Sequence, residues 1–167
     1  MLFRSLCRSL RHPFGIPTTS REFANIQRLQ ALGIIAPAPV FHGSRQTADG
    51  HLGLLVTREL EGFRAIADGG DLITEEKRQL AIAVGSTIGR LHRAGLQHSC
   101  LYDKHVMVHW QDGKPEIALI DLEKLRRPYL PWRAARHDLD QLRRHQAVWN
   151  ADDWDTLLAA HAAALGS

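Results

Sequence analysis

This sequence predicts an α+β fold, and three observations carry that prediction. A long amphipathic helix is written over residues 74–94, two strand-like runs follow it, and a polar loop joins the helix to the strands. In the helix, Leu80, Val84, Ile88 and Leu91 recur at the spacing of one buried stripe. The runs "HVMVHW" and "EIALID" are joined by "QDGK", and Asp-Gly in such a connection marks a tight hairpin turn. Between helix and hairpin lies "LQHSCLYDKHVMV", residues 96–108, which crowds His98, Cys100, Asp103 and His105 into a short loop.

The remaining elements follow in chain order. The first 21 residues carry Arg4, Arg8, Arg11 and Arg21 and no acid, with Leu2, Leu6 and Leu10 at helical spacing. That pattern is shared by transit peptides, by basic helices on membrane surfaces and by basic, partly ordered opening segments. "TTSREFANIQRLQALG" reads as a helix with Thr19 and Glu22 as a capping box, an apolar side of Phe23, Ile26, Leu29 and Leu32, and a stop at Gly33. Pro37 and Pro39 then force extended chain toward "VFHG", and "HLGLLVTREL" is a second strand running into a turn at Gly62. Thr74 is the expected cap of the long helix, with Glu75 and Glu76 suiting its positive end. Two helices, near 133–148 and 151–165, close the chain.

At 167 residues the chain suffices for one domain with a real core. A net charge of +3 is too small, and its acids too widely spread, for a nucleic-acid signature. No apolar run approaches the ~20 residues of a membrane helix. Cys7 and Cys100 show neither metal nor disulfide spacing, which fits a reducing compartment.

A hairpin returns its end close to its start, so Asp121 is expected beside the His98–Asp103 loop. A carboxylate leaving the apolar run Ile117–Ile120 toward a polar loop reads equally as a magnesium ligand or as a turn aspartate. His105 and His109 share strand parity and hence one face. A zinc site from His98, Cys100 and His105 is the other metal reading, although its spacing matches no standard structural site.

Helix, "LHRAGLQHSCLYDKHVMV", hairpin and "IALIDLEK" in that order resemble the catalytic half of the protein-kinase-like fold. With "REFANIQRLQALGI", "LLVTRELEG" and "RHDLDQLRR", the resemblance narrows to the lipopolysaccharide core sugar kinases, the Kdo/heptose kinase family and its InaA-like branch, over roughly residues 10–148. The resemblance implies one kinase-like domain: a truncated N-terminal lobe over 1–62, comprising first helix, two strands and hinge, and a mainly helical C-terminal lobe over 63–167. It also implies ATP and Mg2+ as cofactors, with Asp121 as the metal acid and His105 at the second metal position. His98 then opens the catalytic loop, Glu22 faces the ATP-binding lysine, and Glu59, Glu61 and Gly62 form the adenine hinge. Asp138 corresponds to the helix acid that braces the loop.

Two departures from the family pattern bear on function. The position of the general base holds Cys100, a weak base as a neutral thiol, with Asp103 in the same loop as the alternative. About 18 residues precede the first helix, without a lysine or a G-x-G-x-x-G, as in a shortened relative or a chain whose start lies upstream. Phosphate contacts are then expected from Arg4, Arg8 or Arg11. Three functions compete. The first is an ATP-dependent phosphotransferase acting on a sugar hydroxyl of the lipopolysaccharide inner core, cytoplasmic and peripheral at the inner face of the inner membrane. The second is a catalytically inactive kinase-like binding or regulatory protein. The third is a histidine-rich metal-binding domain.

Overall fold

The computed structural model describes the backbone of residues 2–3, 6–9, 12–48, 50–69 and 72–167; side chains are described from residue 17 onward, except at 49, 50, 70, 71, 131 and 132. The chain opens extended, with β1 (Leu2–Phe3), β2 (Leu6–Ser9) and β3 (His12–Pro17) ahead of α1 (Thr18–Ala31). β4 (Pro39–Thr47) and β5 (Gly50–Thr57) follow, and β1 lies on β5 with Leu2 opposite Leu54 and Phe3 opposite Gly53. The sheet order is β1-β5-β4, while β2 and β3 pair with each other.

The helical spacing of the opening segment is therefore overturned where the chain is described. A run this short cannot sustain a helix by its own hydrogen bonds. The unpaired edge of β5 offers its backbone groups partners instead. Arg4, Leu10 and Arg11 lie outside the described residues, as does the side chain of Arg8.

α1 starts from Pro17, so Thr19 sits inside its first turn and the Thr19–Glu22 capping box does not form. Thr19 is instead 1% exposed and occupies the space a side chain at Gly53 of β5 would take. Ile26 and Leu29 are buried as expected, and Phe23 stacks on the His42 ring of β4 at 4.5 Å between centroids. Leu32 lies past the last turn and is exposed. Gly33, at φ +66°, ends the helix, and the Ile34 amide reaches back to the Leu29 carbonyl at 2.9 Å.

After a turn at Gly62 (φ +76°), β6 (Arg64–Ala65) leads toward α2 (Thr74–Arg93). The cap of α2 is supplied by Glu76 rather than Thr74: its carboxylate accepts the Ile73 amide at 3.0 Å. Leu80, Val84, Ile88 and Leu91 are each 0% exposed, so the stripe read from the sequence is the core. Burial of each such side chain contributes about 2 kcal/mol.

β7 (Val106–Gln111) and β8 (Lys114–Leu119) form the expected hairpin, its turn being Asp112 and Gly113 at φ +50° and +73°. β6 joins them in the order β6-β7-β8. A parallel bridge from Ile35 to Ala118 ties this sheet to the chain leaving α1. α3 (Pro131–His145) and α4 (Ala151–Gly166) complete the molecule. Asn150 caps α4, accepting the Asp153 amide at 2.9 Å while Asp153 accepts the Asn150 amide at 3.3 Å.

α4 lies against α2 at backbone range. A Cβ at Gly85 would collide with the Leu157 carbonyl, and one at Gly89 would fall 2.6 Å from the His161 carbonyl and 2.7 Å from the Ala164 Cβ. Two glycines one turn apart on α2, facing small residues of α4, permit this approach.

Candidate active site

α2 ends at Gly95 (φ +70°), and the chain enters the loop that α3 holds in place. Asp138 of α3 is wholly buried and meets four donors. Its Oδ2 accepts the His98 amide at 2.7 Å and His92 Nε2 at 3.2 Å; its Oδ1 accepts the Ser99 amide at 3.0 Å and His137 Nδ1 at 3.2 Å. Burial opposes its ionisation, but His92 and the two amides outweigh that and hold the carboxyl below its usual range. One turn on, Gln141 accepts the Leu101 amide at 2.7 Å. These contacts keep Ser99 in the left-handed region at φ +70°, a conformation that costs about 1–3 kcal/mol for a residue with a side chain.

His98 is 0% exposed and both ring nitrogens are engaged. Nε2 donates to the Ile120 carbonyl at 3.0 Å, and Nδ1 accepts the Cys100 amide at 3.3 Å. Burial keeps this imidazole below its ordinary pKa, so it is neutral and has no nitrogen left for a metal. The zinc reading loses its first ligand here. Among the described residues, no group of three or more His, Cys, Asp or Glu side chains could hold a metal ion.

His105 does not lie on a strand. It ends a 3-10 turn over Asp103–His105, so it shares no strand face with His109, which instead meets Glu116 at 3.6 Å. Its Nδ1 donates to the Cys100 carbonyl at 2.8 Å, which turns Nε2 toward the Asp121 carboxylate at 3.4 Å. Asp121 follows β8 in a left-handed conformation, φ +57°, and leads into a second 3-10 turn, Leu122–Lys124. Its side chain is 35% exposed. The hairpin therefore brings Asp121 back to the loop, as its geometry predicts.

α1 supplies the other side. Asn25, 0% exposed, donates to the carbonyls of Leu122 (2.7 Å) and Leu125 (3.0 Å), fixing the turn after Asp121. One turn earlier, Glu22 is held above the usual carboxylate range by burial and then by Asp121 and Glu123, which the Leu122 amide only partly offsets. A half-open carboxylate in a field of neighbouring acids has the donor chemistry magnesium needs, because that ion binds through one or two carboxylates and substrate phosphates. The residues fit.

The other sequence-predicted residues sit differently. Cys100 is buried, 6% exposed, and beside it Lys124 is held above its usual pKa by electrostatic attraction to and hydrogen bonding with the Cys100 sulfur, with help from Glu123 and Asp121. The Asp103 carboxylate accepts the adjacent Lys104 amide at 2.8 Å, which ties it to its own turn. Glu59 and Glu61 are exposed, and among the described residues no hydrogen bond or ion pair joins them or Gly62 to Asp121 or the loop. Asn25, His92, Lys124, Gln141 and His161 were not singled out by sequence reading. Asn25 alone left a signal, as a polar residue next to Ile26 on the buried side of α1.

A helix, a braced loop and a hairpin that returns an acid beside that loop define the catalytic half of a kinase-like fold. The chain belongs to the lipopolysaccharide kinase (Kdo/WaaP) family, whose model matches residues 1–161. It is 34% identical over 160 residues to Protein InaA of Escherichia coli (strain K12), covering 92% of this chain and 74% of that protein. Among solved structures it is similar to that described as WaaP in complex with acyl carrier protein: TM-score 0.76, 21% identity, 97% of this chain and 79% of the other covered. The kinase-like α+β fold and the family resemblance read from the sequence are both borne out.

Proposed function

We propose that this chain is an ATP-dependent phosphotransferase that phosphorylates a sugar hydroxyl of the lipopolysaccharide inner core. The observation that carries the proposal is the meeting of Asp121 with His105 at 3.4 Å, beside a loop braced at Asp138. In this reading Asp121, with His105 next to it, holds the magnesium, and neutralisation of charge on the ATP phosphates is what that ion supplies when bound. Glu22 adds negative potential from α1, and His98 keeps the loop in shape through Ile120 and Cys100. The backbone of Glu59–Gly62 meets adenine, as the family resemblance implies, with residues 1–62 acting as the N-terminal lobe and 63–167 as the C-terminal lobe. Cys100 lines the acceptor position and Asp103 takes the hydroxyl proton.

Exposed Arg126, Arg127, Arg133, Arg136, Arg143 and Arg144 follow the metal acid along the chain. They support approach to an anionic glycolipid at the cytoplasmic face of the inner membrane. Among the described residues, no helix is long and apolar enough to cross a membrane. Incubation with ATP, magnesium and core oligosaccharide should give a phosphorylated sugar by mass spectrometry; absence of product would refute the proposal.

Cys100 in place of an acid favours one second reading, a kinase-like protein that binds its ligand without turnover. It predicts ligand binding that is insensitive to Asp121→Asn.

A further inference from the structure

The last helix reaches the loop through buried side chains that the proposed chemistry does not use. The close approach at Gly85 and Gly89 sets His161 of α4 over α2, where its Nε2 lies 2.8 Å from His92 Nδ1. His92 Nε2 in turn lies 3.2 Å from the Asp138 oxygen that accepts the His98 amide. His92, His161 and Asp138 are 6%, 5% and 0% exposed.

The proton positions along this chain follow from its end. A carboxylate only accepts, so His92 must present Nε2–H to Asp138. The other ring nitrogen, Nδ1, is satisfied by His161 Nε2 at 2.8 Å. If His161 is removed, the carboxylate still holds a proton on Nε2, but Nδ1 is left buried without a partner and the ring is free to turn away from Asp138. Asp138 would then lose one of four donors, keeping His137 and the two loop amides.

We propose that His161 is a positioning residue for the loop His98–His105: by anchoring the second nitrogen of the His92 ring it sets how firmly Asp138 holds the His98 and Ser99 amides. The inference rests on the kinase reading only in calling that loop catalytic. The C-terminal helix is thus part of the loop's support.

Hydrogen–deuterium exchange on the full chain tests this without requiring turnover. His161→Phe should speed exchange at the His98 and Ser99 amides on the order of ten-fold, while the Leu80–Leu91 amides of α2 exchange as in the wild type. His161→Gln, whose side-chain amide can donate from a similar position, should restore the slow rate. In the phosphotransfer assay the Phe variant should lose kcat at unchanged KM for ATP, and Gln should recover it. An unchanged rate at His98 and Ser99, a uniform rise through α2 and α4, or failure of Gln to restore it would overturn the proposal. If the exchange pattern holds while the wild type transfers no phosphate, the kinase reading fails and the positioning role stands.

Discussion

The two sides of the site are built on opposite electrostatic terms. On the loop side, Asp138 is a buried charge matched by four donors, and His98 is a buried neutral ring with both nitrogens occupied. On the acid side, Asp121 is 35% exposed, Glu22 is pushed upward by burial and by its acidic neighbours, and Lys124 is exposed. Satisfied burial makes a frame; half-open charge suits a ligand. Substitutions on the first side should therefore cost stability, and those on the second should cost chemistry while leaving the fold intact.

The position where the two sides meet offers the largest effect. In an Asp103→Asn background, Cys100→Asp should raise the phosphotransfer rate by about 10²–10⁴, the usual contribution of a general base. An unchanged rate would mean that neither position supplies the base.

On the frame side, Asp138→Asn replaces an acceptor with a donor facing the loop amides. It should lower unfolding stability by about 3 kcal/mol in urea titration. Gly89→Val should cost about 2 kcal/mol by forcing α4 off α2, measured the same way. A loss at Asp138 no larger than that of an exposed substitution would erase the contrast between the two sides.

A smaller effect depends on pH. Burial, with His92 beside it, lowers the His161 pKa from 6.5 to about 4. Between those values the unfolded chain binds a proton that the folded chain does not, so this contribution to stability falls as pH falls from about 6.5 to about 4. His92, His137 and Asp138 surround the same chain of contacts. Thermal unfolding across that range should show a shallower decline for His161→Gln than for the wild type.

How much of this was legible depended on whether the cause was local. The α2 stripe and the Asp-Gly hairpin follow from periodicity and turn chemistry, and Asp121 beside the loop follows from the hairpin. Thr19 was misread because its packing partner, Gly53, lies on another strand; no local rule weighs that space against a cap. β1 depends on β5, some fifty residues later, and β2 on β3, so the helical spacing of Leu2 and Leu6 had nothing local to compete with. His105 slipped off its expected strand because the Cys100 carbonyl, five residues back, captures its ring. The His161–His92–Asp138 chain was invisible for the same reason: three polar residues on three helices acquire meaning only through contact.

In the proposed function the half-exposed acid, Asp121, does the chemistry and the buried acid, Asp138, keeps the shape. Transfer of label from γ-labelled ATP to core oligosaccharide, with magnesium, in wild type and Asp121→Asn tests it most directly. The wild type should give labelled sugar and the variant none, with an unfolding stability within about 0.5 kcal/mol of the parent. Equal labelling by both proteins, or none by either, would contradict it.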